Sequence, residues 1–251
     1  MSLREIVPTE DLRPWVDRYW MRPAAAEPLS LSILPDGCAD LVLDLSGAPG
    51  PLTDAFAVGT MSRPLIITQQ KIPEMFGIRF RPGRAAAFFR APLAPLTDSR
   101  VPLHELAGRE LAALAGRVAE TPAERRVAVV EGALRKRLGS ATAERRVEAA
   151  VEAILRTSGR LPVEEVAGRA GVTRQHLARL FDVHVGIPPK TFARIVRFRR
   201  AVRLGRGGRW ADLAALLGYA DQSHLIADFR AFAGTTPVPF FLEREAGAPL
   251  P

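Results

Sequence analysis

A repeated pattern in the C-terminal half of the chain limits the folds it can adopt more than any other feature. Ala167 and Gly171 recur 47 residues later as Ala214 and Gly218. Beyond the first glycine the offset becomes 48, and the matched pairs are His176 and His224, Leu177 and Leu225, Phe181 and Phe229, Gly186 and Gly234, and Pro189 and Pro237. Because turns absorb insertions best, the change in offset places a turn just after each first glycine. The sequence therefore predicts two copies of one helical unit.

Each copy has the residue order of a helix-turn-helix. A short first helix ends at a glycine, and Thr173 or Asp221 then supplies the side chain that caps the second helix. The apolar residues of that second helix fall at helical spacing, so one polar face is left outward. An ordinary helix with a solvated polar face would explain one copy. Two copies that match at cap, glycine and core favour a shared binding role.

The outward faces of the two second helices have side chains suited to the major groove of DNA. Arg pairs with the two acceptors of guanine, Gln pairs with adenine, and small apolar side chains contact the thymine methyl. Asp228 is expected beside the second face, which is the less basic of the two. The residues predicted to read bases are Arg174, Gln175, Ala178 and Arg179 in the first copy, and Gln222, Ser223, Ile226 and Ala227 in the second.

Positive charge is concentrated around the repeat. The chain has a net charge of +8, and residues 140–251 contribute +6 of it, with no acidic residue from Lys190 to Arg209. An arginine-rich composition would affect both halves alike, so the asymmetry favours a polyanionic partner. Segment 190–209 is predicted to form a helix that links the two copies and holds their second helices about 34 Å apart, in successive major grooves. The predicted phosphate contacts are Thr173, His176, Lys190, Arg194, Arg197, Arg200 and His224.

The first hundred residues are typical of short strands broken by Pro and Gly. Runs Leu29–Leu34 and Ala39–Leu45 flank Pro35-Asp36-Gly37, which predicts a β-hairpin within a small barrel or sandwich. A short apolar helix is expected from Gly83, and two helices with apolar stripes at 103–118 and 127–138. These stripes fit either a core against the strands or the seam of a homodimer through residues 103–138.

These patterns predict an α+β chain with two domains. Residues 1–139 form a β-rich sensor or dimerisation domain that ends in two helices. The short stretch Ser-Ala-Thr-Ala at 140–143 precedes an all-α DNA-binding domain at 144–243, and residues 244–251, with Ala246–Pro251 at the end, are expected to be a flexible tail.

The segments EEVAGRAGVTRQHLARLFDVHVGIPPKTF and ALLGYADQSHLIADFRAFAGTTPVPFF together resemble the AraC/XylS family of bacterial transcription regulators. The resemblance covers residues 145–242. It implies a seven-helix domain that binds promoter DNA and controls transcription, commonly as an activator that contacts RNA polymerase. The family often has Arg near the middle of the second reading helix, where this chain has Ala227 and Asp228, so the first copy is expected to dominate base readout.

The N-terminal half is similar, more loosely, to sensor domains of actinobacterial members of that family. ILPDGCADLV and FGIRFRPGRAAAFF carry this likeness. By analogy the resemblance implies a cupin-like β-barrel that senses an unidentified small molecule. The residues expected to line an effector pocket, if they are not simply core, are Trp15, Trp20, Cys38, Phe56, Met61, Met75, Phe76 and Phe80.

Several other functions are disfavoured by the sequence. One cysteine and four scattered histidines predict neither a disulfide nor a metal site, and we expect no cofactor. No nucleophile–base set or phosphate-binding glycine motif is present, so an enzyme is not expected. Cys38 fits a redox or alkylation sensor, or an inert buried residue. A charged N-terminus and the lack of long apolar runs predict a cytoplasmic protein without a membrane partner. A protein-docking module with non-specific DNA binding remains a rival.

Overall fold

The computed structural model of the 251-residue chain describes residues 3–25, 29–46, 55–69, 71–139, 141–205 and 209–245. Three of the predicted features include residues outside these ranges: the domain boundary at Ser140, the basic helix at Arg206 and the tail at Ala246–Pro251. Among the described helices none is long and apolar enough to cross a membrane. The prediction of an α+β chain, with strands first and helices after, is confirmed.

The strands form two antiparallel sheets among the described residues. The larger has the order β1-β2-β7-β4-β5-β8, and the smaller pairs β3 with β6. The strands are β1 (Arg4–Ile6), β2 (Val16–Arg22), β3 (Leu29–Ile33), β4 (Asp40–Asp44), β5 (Ala55–Val58), β6 (Leu65–Gln69), β7 (Met75–Phe80) and β8 (Arg100–Pro102).

Ten helices follow or interrupt the strands in the described part of the chain. They are α1 (Ala85–Phe89), α2 (Leu103–Ala119), α3 (Arg126–Leu138), α4 (Arg145–Arg156), α5 (Val163–Arg169), α6 (Arg174–His184), α7 (Pro189–Leu204), α8 (Trp210–Leu216), α9 (Gln222–Ala233) and α10 (Pro237–Glu245). The last seven correspond to the all-α half, and α10 continues two residues into the predicted tail at 244–251.

One face of the six-stranded sheet packs against α1, α2 and α3. Alternate residues of β2, β4 and β7 point to this face because successive side chains of a strand point to opposite sides. A register shift between Val16 and Arg18 lets both Val16 and Tyr19 face inward. The shared core includes Leu41, Leu43, Phe76, Ile78, Phe80, Phe88, Phe89, Leu111, Leu114, Val118, Val130 and Leu134. The apolar stripes of α2 and α3 therefore belong to the core.

The predicted hairpin around Pro35-Asp36-Gly37 is wrong, although the turn itself is present. Gly37 has a φ of +83°, and the Asp36 carboxylate accepts a hydrogen bond from the Cys38 amide at 2.9 Å. The strands on either side join different sheets: β3 pairs with β6, while β4 lies between β5 and β7. A turn signal fixes the local chain reversal, but strand pairing is decided by which faces are buried, and β4 is buried nearly throughout.

A second core holds the helical half together. Phe181, Phe192, Phe198 and Phe229 are its largest fully buried side chains. Thr173 accepts from the His176 amide at 3.2 Å and Asp221 accepts from the His224 amide at 2.9 Å. Both predicted N-caps are therefore in place. Leu34, from the N-terminal half, also belongs to this core, so the two halves of the chain share a packed boundary.

The N-terminal half caps the carboxyl end of α6. The Leu93 amide donates to the Val183 carbonyl at 2.9 Å, and the Thr60 hydroxyl donates to the Val185 carbonyl at 2.6 Å. The Thr97 hydroxyl donates to the next carbonyl, that of Gly186, at 2.5 Å. Carbonyls at the end of a helix lack partners within that helix. Here the N-terminal half supplies them, and it thereby fixes the position of the helix predicted to read DNA.

Candidate nucleic-acid interface

A broad groove of about 950 Å³ lies between the two helix-turn-helix units. Arg174, Gln175 and Ala178 on α6 line one side, and His224 and Ala227 on α9 line the other. Lys190, Arg194 and Arg197 on α7 form the floor. Residues predicted from both copies and from the linker helix thus come together on one concave surface.

The first copy presents its predicted base-reading residues to solvent. Arg174, Gln175 and Arg179 are exposed, and Ala178 is half-buried between them. Arg174 forms a hydrogen-bonded ion pair with Glu164 of α5 at 2.7 Å. This hydrogen bond holds the pKa of Glu164 below its usual range. Arg179 lies outside the groove lining, so the face of α6 is wider than the groove.

The second copy presents a smaller and less charged face. Gln222, Ser223 and Ala227 are exposed and Ile226 is half-buried. His224 is exposed, and its Nδ1 lies 3.1 Å from the Asp221 carboxylate at the start of α9.

The sequence predicted Asp228 beside this exposed face. Asp228 is instead buried, at 3% exposure. It accepts two hydrogen bonds from the Arg194 guanidinium, at 2.7 and 3.0 Å. Arg194 also lies over the Phe232 ring, at 5.1 Å. A carboxylate inside a helical core requires a paired cation, and Asp228 therefore ties α9 to α7.

Two of the predicted phosphate contacts are thus held by the protein itself. Arg194 is paired with Asp228, and Arg197 lies 4.2 Å from the centre of the Tyr219 ring and donates to the Gly218 carbonyl at 3.3 Å. Both still line the groove floor. In contrast, Lys190 and Arg200 are exposed.

The two remaining predicted phosphate contacts on the first copy differ in accessibility. Thr173 is exposed, although its hydroxyl oxygen is used as the cap of α6. His176 is half-buried, and its Nε2 is buried with no hydrogen-bond partner among the described residues. A buried atom cannot reach a phosphate unless the ring turns, so this geometry disfavours the role expected of His176.

Sequence reasoning missed the residues that position the arginines. Glu164, Tyr219 and Asp228 each contact an arginine of the groove. The spacing of Asp228 from buried Leu225 and Phe229 places it on the inner side of α9, and this signal could have located it.

A second concave site lies between the two sheets of the N-terminal half, with a volume of about 90 Å³. Of the residues expected to line an effector pocket, Trp20, Phe56, Met61 and Met75 do so. Phe76 and Phe80 are fully buried in the core on the other face of the sheet, and Trp15 packs against that core beneath the Arg84 guanidinium. The structure therefore divides the predicted set between cavity and core.

Cys38 does not line this cavity. Burial, with the Asp36 carboxylate nearby, raises the pKa of its thiol well above the usual range. A thiol held in the protonated form is a poor nucleophile. The environment of Cys38 fits the inert interpretation better than the sensor interpretation.

Comparison with known proteins matches two separate regions of the chain. Residues 166–241 match the family model of a helix-turn-helix domain, and residues 4–102 match a domain of unknown function (DUF6597). No curated protein matches the sequence.

The solved structures with detectable similarity include those of ToxT from Vibrio cholerae. One crystal structure of ToxT is 9% identical with a TM-score of 0.43, and the alignment covers 89% of this chain and 97% of ToxT. ToxT bound to (E)-4-(8-methylnaphthalen-1-yl)but-3-enoic acid is 9% identical with a TM-score of 0.46, over 89% of this chain and 98% of ToxT.

The matched repeat, its caps and the family model together define a helix-turn-helix DNA-binding protein. The helix-turn-helix domain is of the AraC type, as the sequence resemblance indicated, and the chain is a DNA-binding regulator that joins it to the N-terminal DUF6597 domain. A regulator of this type is not normally an enzyme.

Proposed function

We propose that this protein is a sequence-specific transcription regulator whose two reading helices enter successive major grooves. The observation that carries the proposal is the groove shared by α6, α7 and α9, because it places side chains from both copies on one surface. Both helices contribute side chains that hydrogen-bond to bases. These are Arg174, Gln175 and Arg179 on α6, and Gln222 and Ser223 on the smaller face of α9.

Phosphate binding is assigned mainly to the exposed cations. Lys190 and Arg200 have free access to solvent, whereas Arg194 and Arg197 act from the groove floor. Phosphate contacts fix the register of a protein on DNA without reading sequence. Replacing Lys190 should therefore weaken binding to all sequences alike and lower the slope of log K against log salt by about one unit.

The test is selection of preferred sites from random duplexes, followed by competition gel shifts with variants. Arg179→Ala should cost about 1–3 kcal/mol on the selected site and relax specificity at one base pair. Arg156→Ala is the matched control, because Arg156 is exposed on α4 and pairs with Glu152, outside the groove lining. Selection that yields no preferred site would favour the rival module with non-specific DNA binding.

We further propose that the N-terminal half senses a small molecule and controls DNA binding through its contact with α6. Three hydrogen bonds from Thr60, Leu93 and Thr97 end on carbonyls at the end of that helix. A ligand that shifts these donors would shift the reading helix.

The remaining assignments follow from the family resemblance. We expect the protein in the bacterial cytoplasm, where its promoter lies, and expect it to act as an activator that contacts RNA polymerase. A homodimer through residues 103–138 would have to use the outer faces of α2 and α3, because their apolar stripes are buried in the core.

A further inference from the structure

The cavity between the sheets contains charged residues on a buried sheet face. The face of the six-stranded sheet opposite α1, α2 and α3 carries Trp20, Arg22, Asp40, Arg79 and Arg100, all of which line the cavity. The inner face of the same strands is almost wholly apolar. A core requires only apolar residues, so charges buried on one face of a sheet mark a candidate binding site.

These charges are not equally satisfied. Arg79 pairs with Asp36 at 2.8 Å and with Asp40 at 3.2 Å, and Asp40 also accepts from the Trp20 indole at 3.3 Å. Arg22 and Arg100 are half-buried, and neither pairs with a carboxylate of any residue that the structure describes. Burial lowers the pKa of both guanidiniums, although both stay charged at neutral pH.

Two half-buried cations without a carboxylate partner are costly to the folded protein, and the Phe56 ring, 5.9 Å from the Arg100 guanidinium, offsets only part of that cost. A bound ligand that supplies negative charge and acceptor oxygens would offset this free-energy cost. A planar carboxylate matches the guanidinium fork and can accept two parallel hydrogen bonds from one arginine.

We propose that this cavity binds a small organic anion, a short-chain monocarboxylate, with its carboxylate held by Arg22 and Arg100. A cavity of about 90 Å³ has room for only a few water molecules, so the enclosed part of the ligand is small, of the size of a short-chain acid. Apolar side chains complete the lining: Val42 and Phe56 lie on the same sheet face as the arginines, and Ile67 lies on the opposing strand β6. The hydrocarbon part of the ligand faces these residues and Met61.

This inference rests on the proposed sensing function and names its ligand class. The cavity also touches both contacts between the two halves. Met61 lines the cavity and follows Thr60, whose hydroxyl bonds to the end of α6. Arg79 lines it as well and pairs with Asp36, whose turn packs against Phe192 of α7 at Gly37. An anion beside Arg79 therefore acts on the ion pairs that anchor this turn.

Binding is measured by isothermal titration calorimetry on the full-length chain at fixed ionic strength. The probes are acetate, propionate and butyrate, each compared with its neutral amide. We expect at least one carboxylate to bind with a Kd in the micromolar to millimolar range, which a ligand of this size can reach. The matching amide should bind at least tenfold more weakly. Equal affinity for acid and amide, or no binding of any probe at 10 mM, would overturn the proposal.

Variants assign the binding to the two arginines. Arg22→Gln and Arg100→Gln should each raise the Kd about ten- to a hundredfold, the usual effect of one charge-assisted hydrogen bond. Arg18→Gln is the control on the same strand, because Arg18 already pairs with Glu5 and Asp17. Arg22→Gln should melt at the same temperature as the parent or higher in the absence of ligand, since a half-buried charge without a partner is removed. Unchanged affinity in both cavity variants would overturn the assignment.

Gel shifts on the same preparations separate this proposal from the proposed function. If the selected DNA binds but no carboxylate does, the ligand class is wrong and the regulator stands. If a carboxylate binds through Arg22 and Arg100 but no preferred DNA site is found, the ligand site stands and the regulator proposal falls.

Discussion

The buried pair of Arg194 and Asp228 gives its two partners unequal roles. Arg194→Ala leaves the Asp228 carboxylate, which is 3% exposed, without a cation, and this should destabilise the protein by about 3–5 kcal/mol. Asp228→Asn leaves the Arg194 guanidinium without its carboxylate partner, but that side chain is 37% exposed and can reach water. A smaller loss of stability, about 1–2 kcal/mol, is therefore expected. Urea unfolding of both variants and of the double variant measures the difference.

Arg200→Ala serves as the control for that series, because Arg200 is exposed on the same helix and should change stability by less than about 0.5 kcal/mol. Equal losses in Arg194→Ala and Asp228→Asn would contradict the unequal roles. The sequence grouped Arg194 with the phosphate contacts because charge alone does not reveal a buried partner 34 residues away in the chain.

A pH effect is expected at His184, the last residue of α6. Burial lowers the pKa of its imidazole below the ordinary value of about 6.5. In this situation the unfolded chain takes up the proton first, so stability is unaffected above pH 6.5 and decreases as the pH falls from 6.5 through the lowered value. Melting temperatures between pH 7.5 and 5.5 should therefore fall more for the parent than for His184→Gln. Parallel curves for the two proteins would refute this expectation.

At the scale of elements, the turn between β3 and β4 is the piece of the N-terminal half that packs against α7. Gly37 has a φ of +83°, and a Cβ there would lie 2.3 Å from the Phe192 ring. Gly37→Ala should therefore destabilise the protein in two ways, by straining the left-handed backbone and by displacing the Phe192 ring. Together these should lower the free energy of unfolding by about 2–4 kcal/mol. Gly171→Ala is the matched control: its φ is +67° but its Cβ would meet nothing within 4 Å, so only about 1 kcal/mol is expected. Chemical denaturation compares the two, and equal losses would mean that the contact with Phe192 adds nothing.

The elements divide into those that local sequence determines and those that it does not. The caps at Thr173 and Asp221 are found where the repeat places them, because capping depends on residues only three positions apart. Pairing of β3 with β6 depends on residues about 35 positions apart, and the nearby Pro-Asp-Gly turn was a misleading local signal. The cavity arginines were missed for a related reason, since Arg22 and Arg100 line one cavity only because β2 and β8, separated by three strands, belong to the same sheet.

At the scale of the whole molecule, the two halves are joined by a shared core and by hydrogen bonds to one helix end. Leu34 packs into the helical core, and Thr60 and Thr97 donate to the Val185 and Gly186 carbonyls. Because these contacts link two otherwise separate cores, the parent should unfold in one cooperative calorimetric transition.

Replacing both threonines by valine keeps their shape but removes both donors, leaving two carbonyls at the end of α6 without their partners. Each lost bond should cost about 1–3 kcal/mol of coupling between the halves. We therefore expect the Thr60→Val, Thr97→Val variant to unfold in two transitions, and its reading helix to exchange amide protons faster at residues 181–186. Thr121→Val is the control, because the Thr121 hydroxyl donates to the Arg117 carbonyl within the N-terminal half and makes no contact between the halves in the part of the chain that the structure describes. A single transition at the parental temperature would show that Leu34 and its neighbours couple the halves without these bonds, and that the N-terminal domain does not control α6 through them.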